Sequence, residues 1–423
     1  MLYFFLKPLV QVALKVYFRN IYISGLENIP HNHRFILAMN HPTAFLEPVI
    51  MAANLKKPVH FLVRGDHFNK SFYRFLLKQG KMIPVFRQKE SGFGSLKYNY
   101  DTFSRCYEYI AKGEIVALFP EGRTENEKRL RPLQRGIARI AFGTLTHHPE
   151  LKHLFILPIG VNYTEPLAFR ATAMLHIGKP LSVMDYWGNE KGGDHQKLLT
   201  DLELSLKQHM VLIERESDEP LIEKCLRFSR NMASYPFWPV YGYEDNRLRM
   251  EQKVSTFWKE HASAKLKADT EKKLDLFSAL LENWNIHMET VLHPRKPQRL
   301  LINPFFELLS FLGLIFGSPP AIFAEWVTKN KVKHPSFKSP VRFGAAFGGF
   351  FVYGLFFCFF AYLISPWFIP GAIVGGGLAY FSLYYKEKEA LVSSYQRYQN
   401  LTDSEKKRLN SLKEELLSSF SFI

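Results

Sequence analysis

Five short, almost wholly apolar runs constrain the first half of the chain: residues 35–39, 59–63, 82–86, 115–119 and 154–161. Each is short for a buried helix and lacks the alternation of a strand with one wet face, so each reads as a strand covered on both sides. Helix-like sequence lies between them, around residues 49–52, 68–78, 95–111 and 135–146. Strands alternating with helices, with both strand faces apolar, specify an α/β fold: a mostly parallel central sheet flanked by helices. In such sheets chemistry gathers just beyond the carboxyl ends of the strands.

The functional groups at or directly after these runs are His41, Arg64, Arg87 and the pair Glu121 and Arg123. Parallel strands bring them to one rim. The central stretch is Asn40-His41-Pro42-Thr43-Ala44-Phe45-Leu46-Glu47-Pro48. Positions six apart on one helix point in different directions, so Glu47 reaches His41 only if the histidine is in a turn and the glutamate in the following helix. An imidazole held by a carboxylate is a general base for an alcohol proton. The plainer alternative is a strand-end histidine with a solvated first-turn acid.

Guanidinium groups around such a base describe a site for a phosphorylated alcohol, because their planar forks match phosphate oxygens. Any one strand-end arginine is more often a surface charge; four functional groups at four strand ends are harder to explain that way. Residues 123–139 add Lys128, Arg129, Arg131, Arg135 and Arg139 to Arg123, against Glu125 and Glu127. This is either a rim that steers an anion or a solvated loop and helix face.

Lys and Arg number 55 against 39 acids, a net charge of +16, which suits an anionic partner. The 38 phenylalanines turn that expectation toward anionic membrane lipids rather than nucleic acid. Cys106, Cys225 and Cys358 lie far apart, with neither a zinc spacing nor a disulfide framework, so no metal site is expected.

Taken in order, these segments resemble the four motifs of the glycerol-3-phosphate / 1-acylglycerol-3-phosphate (lysophosphatidate) acyltransferase family. Asn40-His41 through Glu47 resembles the first, Ile83-Pro84-Val85-Phe86-Arg87 the second, Phe119-Pro120-Glu121-Gly122 the third and Ile156-Leu157-Pro158-Ile159-Gly160 the fourth. Gly136-Ile137-Ala138-Arg139-Ile140-Ala141 resembles the family's Gly-x-Ala-Arg helix, and the similarity covers about residues 20–215. The resemblance implies that His41 is the base, that Glu47 holds its tautomer, that Arg87, Glu121 and Gly122 meet the glycerophosphate acceptor, and that Pro158 belongs to the acyl-donor side. Arg64 joins this site from its strand end, and Arg123 on charge alone. The family's usual first motif has four residues between His and Asp. Here five residues separate His41 from Glu47, a spacing that resembles one branch of the family, though with Glu in place of Asp. No serine or cysteine sits in a nucleophile elbow, so direct transfer without an acyl-enzyme is expected. The implied co-substrate is acyl-CoA or an acyl-carrier-protein thioester, and no cofactor is expected.

Residues 2–18 are apolar apart from Lys7, Gln11 and Lys15, with Arg19 following; four-residue spacing puts these on one side of a helix. The expectation is an in-plane helix with its polar stripe toward head groups, or else an ordinary core-packed helix. Beyond about residue 216 the alternation stops and residues 216–300 read as polar helix. Three apolar stretches follow, 304–327, 343–364 and 367–385. The last two are long enough to span, are joined by Ser365-Pro366, and have basic flanks at Lys329, Lys331, Lys333, Lys338, Arg342, Lys386 and Lys388. They are expected to form a transmembrane hairpin with both ends cytoplasmic, its helices packed closely through Gly344, Gly348, Gly349 and residues 375–377. The first stretch holds Glu307, Glu325 and Pro319-Pro320, and is expected to be a re-entrant or interfacial segment.

The expected organisation is an N-terminal in-plane helix (1–24), the acyltransferase α/β domain (25–215), a helical region (216–300), a membrane region (301–388) and a C-terminal amphipathic helix (389–423). The expected protein is an integral membrane acyltransferase with its catalytic domain on the cytoplasmic face, taking an acyl thioester donor and a glycerol phosphate acceptor. Lysophosphatidate is preferred to glycerol 3-phosphate. The rivals are a silent lipid-binding paralogue, if the Glu-bearing dyad fails, and a nucleic-acid binder, which the apolar stretches argue against.

Overall fold

The computed structural model describes residues 2–31, 33–65, 71–85, 95–188, 193–233, 240–294 and 303–423. The chain divides into two compact units: Met1–Val211 with Pro239–Asp245 and Lys333–Pro340, and Leu212–Trp238 with Asn246–Val332 and Val341–Ile423.

In the first unit, nine described strands form one sheet: β1 (Asn20–Ser24), β2 (Arg34–Met39), β3 (Val59–Arg64), β4 (Met82–Val85), β5 (Ile115–Leu118), β6 (Leu154–Tyr163), β7 (Thr172–Ile177), β8 (Leu181–Ser182) and β9 (Val240–Gly242). The order is β4-β3-β5-β2-β6-β7-β1-β9, with β8 on β6. The strands from β4 to β6 run parallel, as expected of the five apolar runs. β7 turns antiparallel to β6, and β1 and β9 follow its direction. Helices α1 (Leu2–Tyr17), α2 (Leu46–Asn54), α3 (Ser71–Gln79), α4 (Ser95–Ala111), α5 (Gly136–His147) and α6 (His195–Gln208) complete the unit. The sheet core is dry: Ile36, Leu37, Ala38, Met39, Val116, Ala117 and Ile156 are fully buried.

The far strands were not expected. β7 carries Thr172 and His176 among its apolar residues, and β9 is three residues long within otherwise helical sequence. Only pairing with β1 makes β9 a strand.

α1 is oriented opposite to expectation. Lys7 Nζ donates to Leu55 O at 2.5 Å, Gln11 Nε2 to Ala53 O at 2.7 Å and Tyr3 OH to Ala52 O at 3.2 Å. The polar stripe therefore satisfies the open carbonyls at the end of α2, the groups every helix terminus leaves without partners. The outward face is apolar instead, with Phe4, Phe5, Leu9 and Val12 exposed.

The second unit comprises α7 (Glu219–Met232), α8 (Asn246–Thr256), α9 (Ala264–Asn283), α10 (Met288–Leu292), α11 (Pro304–Lys331), α12 (Lys338–Leu363), whose first residues lie in the other unit, α13 (Phe368–Gln399) and α14 (Asp403–Ser419). A capping box at Thr402 and Glu405 opens α14. α11, α12 and α13 are each long and apolar enough to cross a membrane.

Two expectations for these helices need correction. Of the two readings of the first stretch, the re-entrant one requires a reversal, whereas α11 is one helix of 28 residues running through Pro319 and Pro320; the interfacial one does not. Pro319 cannot donate to Ile315 O, and the Ser318 hydroxyl takes that carbonyl at 3.2 Å instead. Nor do the close glycine contacts join α12 to α13. A Cβ on Gly313 of α11 would lie 2.1 Å from Leu378 O of α13, and one on Gly375 of α13 would lie 2.4 Å from the Phe316 ring of α11. The extensive helix packing here is between α11 and α13. α13 runs unbroken from Phe368 to Gln399.

Candidate active site

Three of the parallel strands converge on His41. β2 ends at Met39, and the Asn40 side chain then bonds across to β6 twice: its Nδ2 donates to Val161 O at 2.9 Å, and Val161 N donates to its Oδ1 at 2.6 Å. The His41 N–H donates to Glu121 Oε1 at 2.9 Å, and the Glu125 N–H donates to His41 O at 3.3 Å. The loop after β5 thus clamps the histidine backbone from both sides. The His41 ring stacks on Phe119 with centroids 3.9 Å apart and planes 18° apart.

Glu47 lies in the first turn of α2, fully buried, and its Oε1 accepts from the Thr43 N–H at 2.6 Å. A carboxylate suits a helix N-terminus, where N–H groups lack partners. Its second oxygen faces His41 Nδ1 at 3.6 Å. Neither atom has a closer hydrogen-bond partner among the described residues. The two groups therefore point at each other across a gap slightly longer than a hydrogen bond, a common state for such pairs before substrate binds. With Nδ1 turned to the acid, Nε2 is left for a proton in transit. Tyr163, at the end of β6, is enclosed beside this pair; burial, with the nearby Glu47 charge, pushes its phenol well above the usual range, so it stays protonated.

Glu121 accepts with both oxygens, the second taking the Arg131 N–H at 3.2 Å. Burial pushes its carboxyl above the usual range, opposed by these two N–H donors and by the charges of His41 and Arg131. Gly122 holds φ at +71°, a left-handed turn that favours glycine. It and Arg123 are exposed beside the histidine loop. Arg64 ends β3 and is exposed on the rim shared by the parallel strands. Arg87 lies outside the described residues, two beyond the end of β4. Pro158 is buried inside β6, paired with Ala38; its carbonyl accepts from the Gly178 N–H at 2.8 Å.

The basic loop is partly neutralised from within. Glu127 bridges Arg129 at 3.3 Å and Arg131 at 2.8 Å. Arg123, Arg135 and Arg139 are exposed along it and the start of α5. Sequence reasoning missed Asn40 and Thr43 as positioning groups, although both lie within the stretch it centred on. It also missed residues 333–340. The Ala44 N–H donates to Ser336 O at 3.3 Å, and Tyr17 OH donates to Ser339 O at 2.9 Å and shares a hydrogen bond with Ser339 Oγ at 2.7 Å. Nothing local in that segment announces a partner nearly 300 residues upstream. Among the described residues no group of histidine, cysteine and acidic side chains has the arrangement of a metal site.

The Acyltransferase family model matches residues 20–162, which hold every rim residue named above. Glycerol-3-phosphate O-acyltransferase 1 of Saccharomyces cerevisiae is 24% identical over 259 residues, 57% of this chain and 33% of that protein. An uncharacterized acyltransferase of Schizosaccharomyces pombe is 43% identical over 74 residues, 18% of this chain and 11% of that protein. A chloroplastic 1-acyl-sn-glycerol-3-phosphate acyltransferase of Brassica napus is 25% identical over 29% of this chain and 33% of its own. The crystal structure of the lysophosphatidate acyltransferase PlsC from Thermotoga maritima aligns with 48% of this chain and 77% of its own, at 15% identity and a TM-score of 0.36. The chain spans a third or less of the length of the first curated relatives it matches. The segment that carries His41, Glu47, Glu121 and Pro158, residues 20–162, is an acyltransferase-family domain.

Proposed function

We propose that this chain is a membrane-bound O-acyltransferase of glycerolipid synthesis, moving a fatty acyl group from a thioester to a hydroxyl of a glycerol phosphate. The observation that carries this reading is His41 Nδ1 facing the buried Glu47 carboxylate at 3.6 Å on a strand-end rim. His41 Nε2 takes the hydroxyl proton as the alcohol oxygen attacks the thioester carbonyl. The C–S bond then breaks, and the departing thiolate takes that proton back from the imidazolium. Glu47 fixes the tautomer of the neutral imidazole and stabilises the imidazolium that forms. Arg64 and Arg123, with Arg87, draw the acceptor phosphate to the rim, and positioning of two substrates supplies much of the rate. The donor is an acyl-CoA or acyl-carrier-protein thioester, consumed as co-substrate, and the reaction as written needs no metal or cofactor. The catalytic unit sits at the cytoplasmic face, against anionic lipid.

Lysophosphatidate is the first reading for the acceptor, because the exposed apolar face of α1 belongs to the catalytic unit and suits an acceptor held in a lipid surface. Glycerol 3-phosphate is the second, favoured by the 57% of this chain that aligns with a yeast glycerol-3-phosphate acyltransferase. Membranes holding the protein, given both acceptors and labelled acyl thioester, should form product, with phosphatidate exceeding lysophosphatidate. The His41→Ala variant should lose at least about a hundredfold in rate, the scale of general-base catalysis. Equal product from wild type and His41→Ala would refute the mechanism.

A further inference from the structure

Helices α11, α12 and α13 each have the length and apolarity of a transmembrane span. The path of the chain argues against crossing. β9 pairs with β1 in the catalytic sheet, so residues 240–242 share a side of any membrane with His41. From Asn246 to Asn303 the sequence is polar helix and basic link, with nothing apolar enough to cross. α11 therefore begins on the catalytic side. It also ends there. Residues 333–340 follow it directly and are fastened to the catalytic motif through Ser336 to Ala44 and to the end of α1 through Ser339 to Tyr17, with both serines buried. A single uninterrupted helix cannot cross a bilayer and finish where it started.

We propose that α11 lies in the plane of the membrane and that the protein is monotopic, its apolar helices entering one leaflet while no segment crosses. This rests on the membrane reading above. The occupant of the exposed surface is the acyl-chain layer of that leaflet. α11 has the build of such a helix. One face packs on its neighbours through Gly313, Phe316 and Pro320. The other is open and apolar along its whole length, with Phe305, Leu308, Leu312, Ile315, Ile322 and Trp326 exposed at helical spacing.

α13 follows α11 rather than standing across it, and α12 meets α11 through long side chains. α12 touches the second half of α11: Glu325 bridges Arg342 at 3.0 Å, Gly349 faces Pro320, and Phe316 meets Tyr353 and Phe357 with centroids 5.3 and 5.2 Å apart. α13 continues along the first half: Gly375 on Phe316, Leu378 on Gly313, and Phe381 on Phe306 at 5.9 Å. Only the tip between Phe357 and Gly375 leaves α11. Each of its arms rises about 10 Å at 1.5 Å per residue, a third of the roughly 30 Å hydrocarbon layer. The tip carries exposed Tyr362, Leu363, Ile364, Trp367 and Ile373, a wedge suited to one leaflet. α13 then returns: the His287 N–H donates to Ser394 Oγ at 2.8 Å, and Arg397 Nε donates to Asn285 O at 2.7 Å.

The test is labelling with a membrane-impermeant maleimide in sealed vesicles of both orientations. It uses the full chain with Cys358→Ala; the other cysteines, Cys106 and Cys225, are buried. Single cysteines replace Lys56, Lys265, Asn330 and Trp367, all exposed. The first three should label at least tenfold better from one and the same face, and Trp367→Cys from neither until detergent is added. Pro366→Cys serves where Trp367→Cys does not accumulate. Labelling of Asn330→Cys from the face opposite Lys265→Cys would show that α11 crosses, and labelling of the tip from the far face would show that α12 and α13 cross; either overturns the proposal. Release of the chain by alkaline carbonate without detergent would overturn the membrane reading itself, a distinct result.

Discussion

Both oxygens of Glu121 are occupied by backbone N–H groups, those of His41 and Arg131. The residue that the motif resemblance ties to the acceptor thus holds together the two loops that form the site. Glu121→Gln keeps the shape but turns an amide NH2 toward one of these donors, and a lost hydrogen bond to a charged group costs about 1.5–3 kcal/mol. The variant should lose stability of that order at neutral pH, and kcat should fall with the loosened His41 loop. The pH dependence has a definite sign. Burial raises the folded-state pKa of Glu121, so its protonated form is favoured on folding. That contribution is complete below the unfolded pKa and is lost as pH rises through the folded value. Thermal unfolding measured from pH 4 to pH 7 should show a component in the wild type that falls with rising pH and is absent in Glu121→Gln. A component rising with pH would contradict the assignment. At this scale the sequence was informative: His41, Glu47, Glu121 and Gly122 were all chosen from it, since strand ends are local features. It did not show that Glu121 would face backbone rather than open solvent, because that depends on a partner ten residues away and another 80 away.

At the scale of elements, the five apolar runs and the helices between them were legible because each carries its own hydrophobic period. The orientation of α1 was not. The spacing of Lys7 and Gln11 defines a stripe, but a polar stripe is satisfied equally by head groups or by the open carbonyls of another helix. Here the carbonyls of α2 take it, and the opposite end of α2 carries Glu47. Gln11→Leu should cost about 1 kcal/mol, the net value of one hydrogen bond, and Lys7→Met rather more. Both should lower kcat while leaving membrane attachment intact. Thermal unfolding, a rate assay and vesicle flotation on the same preparations check this. Loss of flotation with unchanged stability would return the stripe to the head groups.

For the whole molecule, the pairing of α11 with α13 sets how the apolar helices assemble. Gly313→Leu would force side-chain atoms into Leu378 O, whereas Gly348 has nothing within 4 Å of a Cβ. Gly313→Leu should lower the unfolding temperature in detergent by an amount equivalent to roughly 1–3 kcal/mol, and Gly348→Leu should leave it unchanged. Equal effects would refute the packing. The sequence by itself determined the α/β class, the parallel strands, the strand-end places of His41, Arg64 and Glu121 and three apolar stretches, because hydrophobic period, strand-end charge and segment length are written within a few consecutive residues. Only the tertiary structure decided that β9 returns to the sheet, that residues 333–340 are fastened beside His41, and that α13 packs along α11 rather than on α12. Each is a contact between segments far apart in the chain, where the local pattern is the same whichever partner is chosen and only packing selects one.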